Sequence, residues 1–152
     1  MIATVTMGLS TYAPLPCKFE AGTPNIEAVV GWGAALDWMN AIGMDSLMAH
    51  ESDLMTYGSE RLTAIDGLVL FGTAPEKSAV LSFGFADLHP YDLGTLLDQQ
   101  GIAVRTGQHC AQPIMDYYNI PGTVRASFAA YSSREDVDRL ADGVERALRM
   151  LR

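Results

Sequence analysis

The chain has 152 residues, of which 49% are hydrophobic and only 18% are charged, which excludes intrinsic disorder and favours a single compact unit. The apolar excess also predicts a partner surface. Its formal net charge is −8, from 18 acidic and 10 basic residues, which argues against nucleic-acid binding because phosphate recognition needs clustered lysine and arginine. The sequence predicts neither a membrane span nor a signal peptide. Two widely separated cysteines imply no disulfide framework, so a reduced cytoplasmic setting is the default.

The first predicted elements are an irregular segment and two helices. Residues 1–24 carry scattered threonine, serine and proline, which predicts an extended strand and a loop. Asn25 is a good N-cap for a helix over 26–42 that is apolar nearly all round, so we expect it to be buried on most sides. Gly43 ends it. A second helix is predicted from about residue 46 to 65, and its apolar face carries Leu47, Leu54, Leu62 and Ile65.

The remainder of the chain predicts a mixed layer of strands and helices. Strands are predicted at 68–71, 79–85, 102–104 and 123–129, with a helix from 90 to 99. A loop covers 105–122. Ser132 or Ser133 caps the last helix, and Ser132 with Glu135 fits a capping box. This order of elements indicates an α/β or α+β layer sandwich formed by about the last hundred residues.

Residues 104–113, VRTGQHCAQP, form the stretch best suited to chemistry. They follow a predicted strand and contain glycine and proline, and functional groups collect in such loops. Cys110 lies beside His109 and close to Arg105, so its positive surroundings favour the nucleophilic thiolate. The alternative is that Cys110 is a small buried residue and His109 a surface residue. The cysteines and histidines lack the close spacing of a metal site.

Two further features allow both a functional and a structural interpretation. Gly22 and Thr23 lie just before a predicted helix start, where backbone N–H groups can bind phosphate. A plain helix cap after a turn is the simpler explanation. Arg125 lies within an apolar strand and therefore needs an acceptor, either a structural carboxylate or the carboxylate of a bound substrate.

Four segments together carry a resemblance to a known family. They are FEAGTPN at 19–25, DLGTLLD at 92–98, GIAVRTGQHCAQP at 101–113 and RASFA at 125–129. They resemble the cysteine desulfurases of the Suf type (group II), which are grouped with selenocysteine lyases as class V, fold-type I pyridoxal-phosphate enzymes. The resemblance implies that residues 1–45 belong to the large cofactor domain. It also implies that residues 46–152 form the C-terminal small domain, with a mobile catalytic loop at 105–122.

The resemblance implies a role for the thiol and for the strand arginine. Cys110 matches the catalytic cysteine, which takes sulfur from cofactor-bound cysteine as a persulfide and leaves alanine. Arg125 matches the arginine that holds the substrate carboxylate. A positioned nucleophile and a planar bidentate donor suit these two tasks.

The other matching positions receive cofactor-binding and supporting roles. Gly22 and Thr23 match the segment that reaches the cofactor phosphate of the other subunit in the family dimer. Arg105 and His109 flank the cysteine, and we assign them loop shape, electrostatics and proton transfer. Gln108 occupies a position where many relatives have histidine, so it receives no catalytic role.

The cofactor lysine of the family has no match in this sequence. In the family it usually follows a histidine, in a segment upstream of the one seen here. Lys18 and Lys77 are the only lysines, and neither follows a histidine. The resemblance therefore predicts the C-terminal part of a cysteine desulfurase, inactive alone, that needs a missing N-terminal half or a second subunit. A truncated gene product, a proteolytic piece and one half of a split enzyme stay open.

The predicted function is the conversion of L-cysteine to L-alanine, with sulfur supplied for iron–sulfur cluster assembly in the cytoplasm. Expected partners are a second copy of the full enzyme and a sulfur-acceptor protein. One alternative is a non-enzymatic remnant or binding module for the acceptor. Another is a different class V enzyme such as an aminotransferase, which does not need a thiol in this loop. Cysteine and selenocysteine both remain open as substrates.

Overall fold

The computed structural model describes all 152 residues, which divide into two compact units, Met1–Met44 and Asp45–Arg152. The first unit contains an antiparallel hairpin of β1 (Ile2–Val5) and β2 (Ser10–Tyr12), then a loop and helix α1 (Ile26–Ile42). A hairpin therefore stands where the sequence predicted one strand. No helix of the chain is long and apolar enough to cross a bilayer.

Helix α1 has the predicted bounds but not the predicted burial. The Asn25 side chain accepts a hydrogen bond from the Ala28 N–H at 3.1 Å, which satisfies one free donor of the first turn. Gly43, with a φ of 93°, follows the last turn. No residue of α1 is buried, because a two-stranded hairpin and a loop have too little surface to enclose it. Trp32 and Trp38 are therefore exposed.

The second unit is a layered α/β structure around one antiparallel sheet. Its strands follow the order β3-β4-β6-β5. The elements are α2 (Met44–Thr63), β3 (Val69–Phe71), β4 (Val80–Gly84), α3 (Pro90–Asp98), β5 (Arg105–Gly107), α4 (Gln112–Tyr118), β6 (Thr123–Ser127) and α5 (Arg134–Leu151). The prediction of a mixed α/β layer fold is confirmed.

One face of this sheet forms the core with the helices. Leu81 and Phe83 of β4 and Val124 and Ala126 of β6 are buried. They occupy alternate positions, as expected for a strand with one buried face. Their helical partners in the same cluster are Leu54 and Leu62 of α2, Leu93 and Leu97 of α3, and Val137, Leu140 and Val144 of α5. The residues between them on each strand therefore point to the opposite face.

The strand predicted at 102–104 lies further along the chain, at Arg105–Gly107. The Ile102 N–H instead donates to the Leu97 carbonyl at 3.0 Å, so this segment closes the C-terminus of α3. The stretch predicted as a loop at 105–122 consequently contains both β5 and α4, and only short connections remain irregular. The backbone around the cysteine is more ordered than the sequence indicated.

The cap of α5 lies one residue later than the predicted capping box. Ser133 and Asp136 exchange side-chain and backbone hydrogen bonds across the first turn. Ser132 is unavailable for this role because its Oγ accepts the Ala129 N–H at 3.1 Å. The predicted pair of Ser132 and Glu135 was therefore wrong, although the alternative Ser133 cap was correct.

Helix α3 and strand β5 approach each other closely at Gly94. A Cβ at this position would overlap Thr106 Cγ2, and a β-branched side chain on a paired strand has little freedom to move. We expect Gly94→Ala to lower the free energy of unfolding by about 1–3 kcal/mol despite its better helix propensity. Thr106→Ser removes Cγ2 and should restore most of that loss in the double variant. Urea unfolding of the wild type and the three variants measures this, and an unrescued double variant would contradict the steric cause.

Helices α2 and α5 are joined by a polar network centred on Asp138. Its carboxylate accepts hydrogen bonds from Tyr57 Oη at 2.7 Å and from Arg61 Nε at 2.7 Å. The Tyr57 hydroxyl and the Arg61 guanidinium hold the pKa of Asp138 below its usual value. Because the folded-state pKa is the lower one, this carboxylate stabilises the fold above its unfolded-state pKa. The stabilisation is lost as the pH falls towards the folded-state pKa.

We therefore expect Asp138→Asn to destabilise the second unit at neutral pH but not in acid. Below its lowered folded-state pKa the wild-type carboxylate is itself protonated, so the difference between the two proteins should shrink as the pH falls towards that pKa and vanish below it. Thermal unfolding of both proteins across this pH range measures the difference. Asp142→Asn is the control, since Asp142 meets Arg61 only at 3.3 Å on the exposed side. A difference in Tm that stays constant with pH would contradict the assignment.

Candidate functional site

The sheet face opposite the core presents one row of side chains across all four strands. The pairing places Phe71 beside Ser82, Ser82 beside Arg125, and Arg125 beside Arg105. Directly paired residues of an antiparallel sheet point to the same face. Two arginines thus stand side by side, which is unfavourable unless an anion lies near them.

A pocket of about 390 Å³ opens on this face, a volume sufficient for a small molecule. Phe71, Ser82 and Arg125 line it from the sheet, and Ile114, Met115 and Tyr118 line it from α4. The rings of Phe71 and Tyr118 meet edge to face, with centroids 5.3 Å apart. The pocket is therefore apolar on the helix side and polar on the side of the strands.

Arg125 brings an unpaired donor to this pocket. Its Nε is buried and has no hydrogen-bond partner. The ion pairs of the chain use Arg61, Arg134 and Arg152, so no carboxylate of this chain neutralises Arg125. Arginine donates only, and a buried unpaired donor is costly. Of the two acceptors that the sequence left open, the structural carboxylate is therefore not supplied by these 152 residues.

His109 lines the pocket beside Arg125 and is anchored to Thr123. Its Nε2 lies 3.0 Å from Thr123 Oγ1 and 3.2 Å from the Thr123 carbonyl oxygen, while its Nδ1 is buried without a partner. Burial, with the charges of Arg125 and Arg105, holds the pKa of His109 below its ordinary value, against the effect of the hydrogen bond to Thr123. The ring is therefore neutral at pH 7.

Cys110 stands in a strained turn that exposes its thiol. His109 and Cys110 have φ values of 55° and 58°, a left-handed conformation that costs about 1 kcal/mol or more for each residue. The Ala111 N–H closes the turn on the Gln108 carbonyl at 2.9 Å. The alternative of a buried Cys110 and a surface His109 was wrong, because Cys110 is exposed and His109 is half-buried. His109 and Ala111, on either side of the thiol, both line the pocket.

The sequence missed Thr123 and Ser82 as parts of this site. Thr123 is fully buried, with 1% of its surface exposed, and its place two residues from Arg125 puts both on one strand face. Strand alternation was thus the signal that could have found Thr123. Ser82 meets Arg125 only through the pairing of β4 with β6, which the sequence alone does not reveal.

Gly22 and Thr23 belong to the first unit, where both are exposed. Gly22 has a φ of 84°, and no atom lies within 4 Å of the position that a Cβ would take. This open backbone leaves room for a phosphate to approach.

Neither lysine of the chain lines the pocket. Lys77 Nζ donates to the Gly72 carbonyl at 3.0 Å, and Lys18 Nζ lies 5.7 Å from the centre of the Phe19 ring. An arginine for an anion and a neutral histidine are present, but no amine is available for a covalent bond to an aldehyde cofactor. The residues of the pocket fit the substrate side of a pyridoxal-phosphate site and not its Schiff base.

The fold is therefore an α/β unit whose pocket is lined by an arginine and by both neighbours of an exposed thiol. The chain belongs to the aminotransferase class-V family, whose model matches residues 1–140. Enzymes of this class and the cysteine desulfurases among them depend on pyridoxal 5′-phosphate.

Several relatives found by sequence and by structure are cysteine desulfurases. A probable cysteine desulfurase of Streptomyces coelicolor is 52% identical over 147 residues, which is 95% of this chain and 35% of that protein. The S-sulfonic acid form of the cysteine desulfurase CsdA from Escherichia coli superposes with a TM-score of 0.89 at 39% identity, covering 99% of this chain and 37% of its own. The apo cysteine desulfurase of Thermococcus onnurineus gives a TM-score of 0.88 at 34% identity, over 97% of this chain and 37% of its own. The chain thus spans about a third of the length of the relatives it matches.

Proposed function

We propose that this chain is part of a pyridoxal-phosphate-dependent cysteine desulfurase of the Suf type, which converts L-cysteine to L-alanine and holds the sulfur as a persulfide on Cys110. The observation that carries the proposal is the pocket whose lining includes Arg125, which has no carboxylate partner in the chain, and both neighbours of the exposed thiol. The RTGQHCAQP motif supports the Suf subtype. The identity of the relatives supports the reaction.

Arg125 and His109 orient the substrate in this proposal. The guanidinium of Arg125 donates to the substrate carboxylate, which supplies the missing acceptor. The neutral imidazole of His109 lines the same pocket. Arg105, paired with Arg125 across the sheet, adds positive potential that favours an anionic substrate and the thiolate of Cys110.

Cys110 performs the sulfur transfer. Its thiolate forms a sulfur–sulfur bond with the thiol of the substrate as the carbon–sulfur bond of the substrate breaks. The electron pair of the broken bond stays with the carbon skeleton, which takes up a proton to become alanine. The products are therefore one alanine and one cysteine persulfide. The cofactor, when bound, supplies the electron sink that labilises this carbon skeleton.

The other parts of the proposal concern the domains and the cofactor. Residues 1–45 belong to the large domain and residues 46–152 to the small domain. The division near residue 44 and the exposed apolar side chains of α1 support this assignment.

Gly22 and Thr23 bind the cofactor phosphate of a second copy in a homodimer. The Schiff-base lysine is supplied from outside these 152 residues, because neither Lys18 nor Lys77 lines the pocket. The enzyme works in the cytoplasm and passes its sulfur to an acceptor protein for iron–sulfur cluster assembly.

Reconstitution tests the proposal. This chain is combined with a polypeptide equivalent to the part of the relatives that it does not cover, and pyridoxal phosphate and L-cysteine are added. A dithiol such as dithiothreitol is included, because it reduces the persulfide and releases its outer sulfur as sulfide. We expect alanine and sulfide in equal amounts, and neither product when this chain is omitted. A reconstituted enzyme that binds the cofactor but forms no alanine from cysteine or selenocysteine would refute the proposed activity.

A binding module for the sulfur acceptor is the second candidate function. The absence of a lysine from the pocket favours it, because it makes the chain alone unable to bond the cofactor covalently. It predicts that the chain alone binds the acceptor with an affinity that survives Cys110→Ala. Titration calorimetry with the acceptor measures this affinity. The exposed thiol turn argues against a third option, an aminotransferase, which has no use for it.

A further inference from the structure

We propose that Thr123 is a positioning residue that holds His109, in the wall of the pocket, as a neutral imidazole with its proton on Nε2 and none on Nδ1. The hydroxyl and the carbonyl of Thr123 both contact Nε2 of the ring. The reason for holding the ring in one form rests on the proposed function, since a desulfurase must orient a zwitterionic amino acid. The tautomer itself follows from contacts within this chain.

The contact with the backbone decides which ring nitrogen carries the proton. The Thr123 carbonyl can only accept, so at 3.2 Å it requires a hydrogen on His109 Nε2. In the Nδ1–H tautomer, the lone pair of Nε2 would face the carbonyl oxygen of Thr123 and the two would repel each other. That tautomer would also bury an Nδ1–H donor that has no partner, at the full cost of its desolvation. The Nε2–H tautomer avoids the repulsion with the carbonyl and leaves at Nδ1 an unpaired acceptor instead of an unpaired donor.

Three features keep the ring in its neutral form. It is half-buried and lies near two guanidinium groups, those of Arg125 and Arg105, each of which disfavours a second positive charge. The pocket lining contains no carboxylate that would offset them. The same burial and charges hold the pKa of His109 below its ordinary value. An uncharged acceptor is therefore the stable state of this side chain.

The two unpaired atoms of the pocket complement each other. Arg125 Nε is a donor without an acceptor, and His109 Nδ1 is an acceptor without a donor. Both atoms are buried behind the pocket wall. Thr123 and Arg125 lie on the same face of β6, so one strand fixes the positions of Arg125 and of the residue that anchors His109.

Nitrogen NMR of the chain labelled with ¹⁵N-histidine tests the inference directly. The ring signals of His109 are those that disappear in His109→Gln, which separates them from His50 and His89. We expect the Nε2–H tautomer at neutral pH, with the chemical shift of an unprotonated nitrogen at Nδ1. An Nδ1–H tautomer or an imidazolium would overturn the proposal, and this measurement needs no variant of Thr123.

The pair Thr123→Val and Thr123→Ser tests the hydroxyl. Valine keeps the shape and the carbonyl but removes Oγ1, one of the two acceptors of the Nε2 hydrogen, so the Nε2–H signal should shift while the Nε2–H tautomer persists. Thr123→Ser keeps the hydroxyl, so its His109 ring nitrogens should have the wild-type chemical shifts. Wild-type shifts in a folded Thr123→Val protein would overturn the role of the hydroxyl. If that variant does not fold, altered shifts in Thr123→Ser would overturn it instead.

These outcomes are separable from the fate of the proposed function. The tautomer is read from the chain without cofactor or substrate, so a failed desulfurase assay leaves it standing. Conversely, an active reconstituted enzyme whose His109 carries its proton on Nδ1 would retain the proposed activity and reject the positioning role of Thr123.

Discussion

Replacing Cys110 with serine is expected to lower alanine formation from L-cysteine by at least about a thousandfold in the reconstituted enzyme. Serine has nearly the same shape, but a neutral hydroxyl does not attack a sulfur atom as a thiolate does. The strained turn should persist, because the Ala111–Gln108 hydrogen bond and the His109 anchor do not involve the thiol. Substrate binding should therefore change little while turnover is lost.

The chain offers a matched control for this prediction. Cys17 is also free and exposed, but it lies in the first unit and does not line the pocket. We expect Cys17→Ser to leave turnover within about twofold of the wild type, as for a surface change. Mass spectrometry of the wild-type enzyme stopped during turnover should add one sulfur atom to the Cys110 peptide and none to the Cys17 peptide. Undiminished turnover in Cys110→Ser would reject Cys110 as the sulfur carrier.

Helix positions were the most predictable part of the fold, because a helix is encoded by neighbours in the sequence. Asn25 and Gly43 marked both ends of α1, and the spacing of Leu47, Leu54 and Leu62 gave the buried face of α2. The burial of α1 could not be predicted in the same way. Apolar residues on all sides show that a helix has partners, but they do not show whether those partners belong to this chain.

The sequence predicted which residues form the site, but not how they are arranged in space. The motif indicated Arg105, His109 and Cys110, and the lone charge in an apolar strand indicated Arg125. Their association depends on the pairing of β5 with β6, and the sequence placed β5 three residues too early. A short strand such as Arg105–Gly107 has no alternation of its own, so only its partner defines its register.

Arg125→Met is expected to have opposite effects on activity and on stability. It removes the guanidinium that holds the substrate carboxylate, so the KM for L-cysteine should rise by about a hundredfold, equivalent to one or two charge-assisted hydrogen bonds. It also removes a buried donor without a partner and a positive charge beside Arg105. The free energy of unfolding of the second unit should therefore increase by about 1 kcal/mol.

Two further arginine variants separate these effects. Arg125→Lys keeps the charge but loses the planar pair of donors, so we expect an intermediate KM and no gain in stability. Arg61→Met makes the same chemical change where the arginine is paired, with Asp138 at 2.7 Å, and should destabilise the chain. Urea unfolding of the chain and KM values of the reconstituted enzyme provide both readouts. If Arg125→Met lost as much stability as Arg61→Met, Arg125 would already have a partner in the chain. That result would reject Arg125 as the residue that binds a ligand anion. A gain in stability together with a raised KM would show that Arg125 serves substrate binding and destabilises the fold. The buried Nε without a partner leads us to expect that combination.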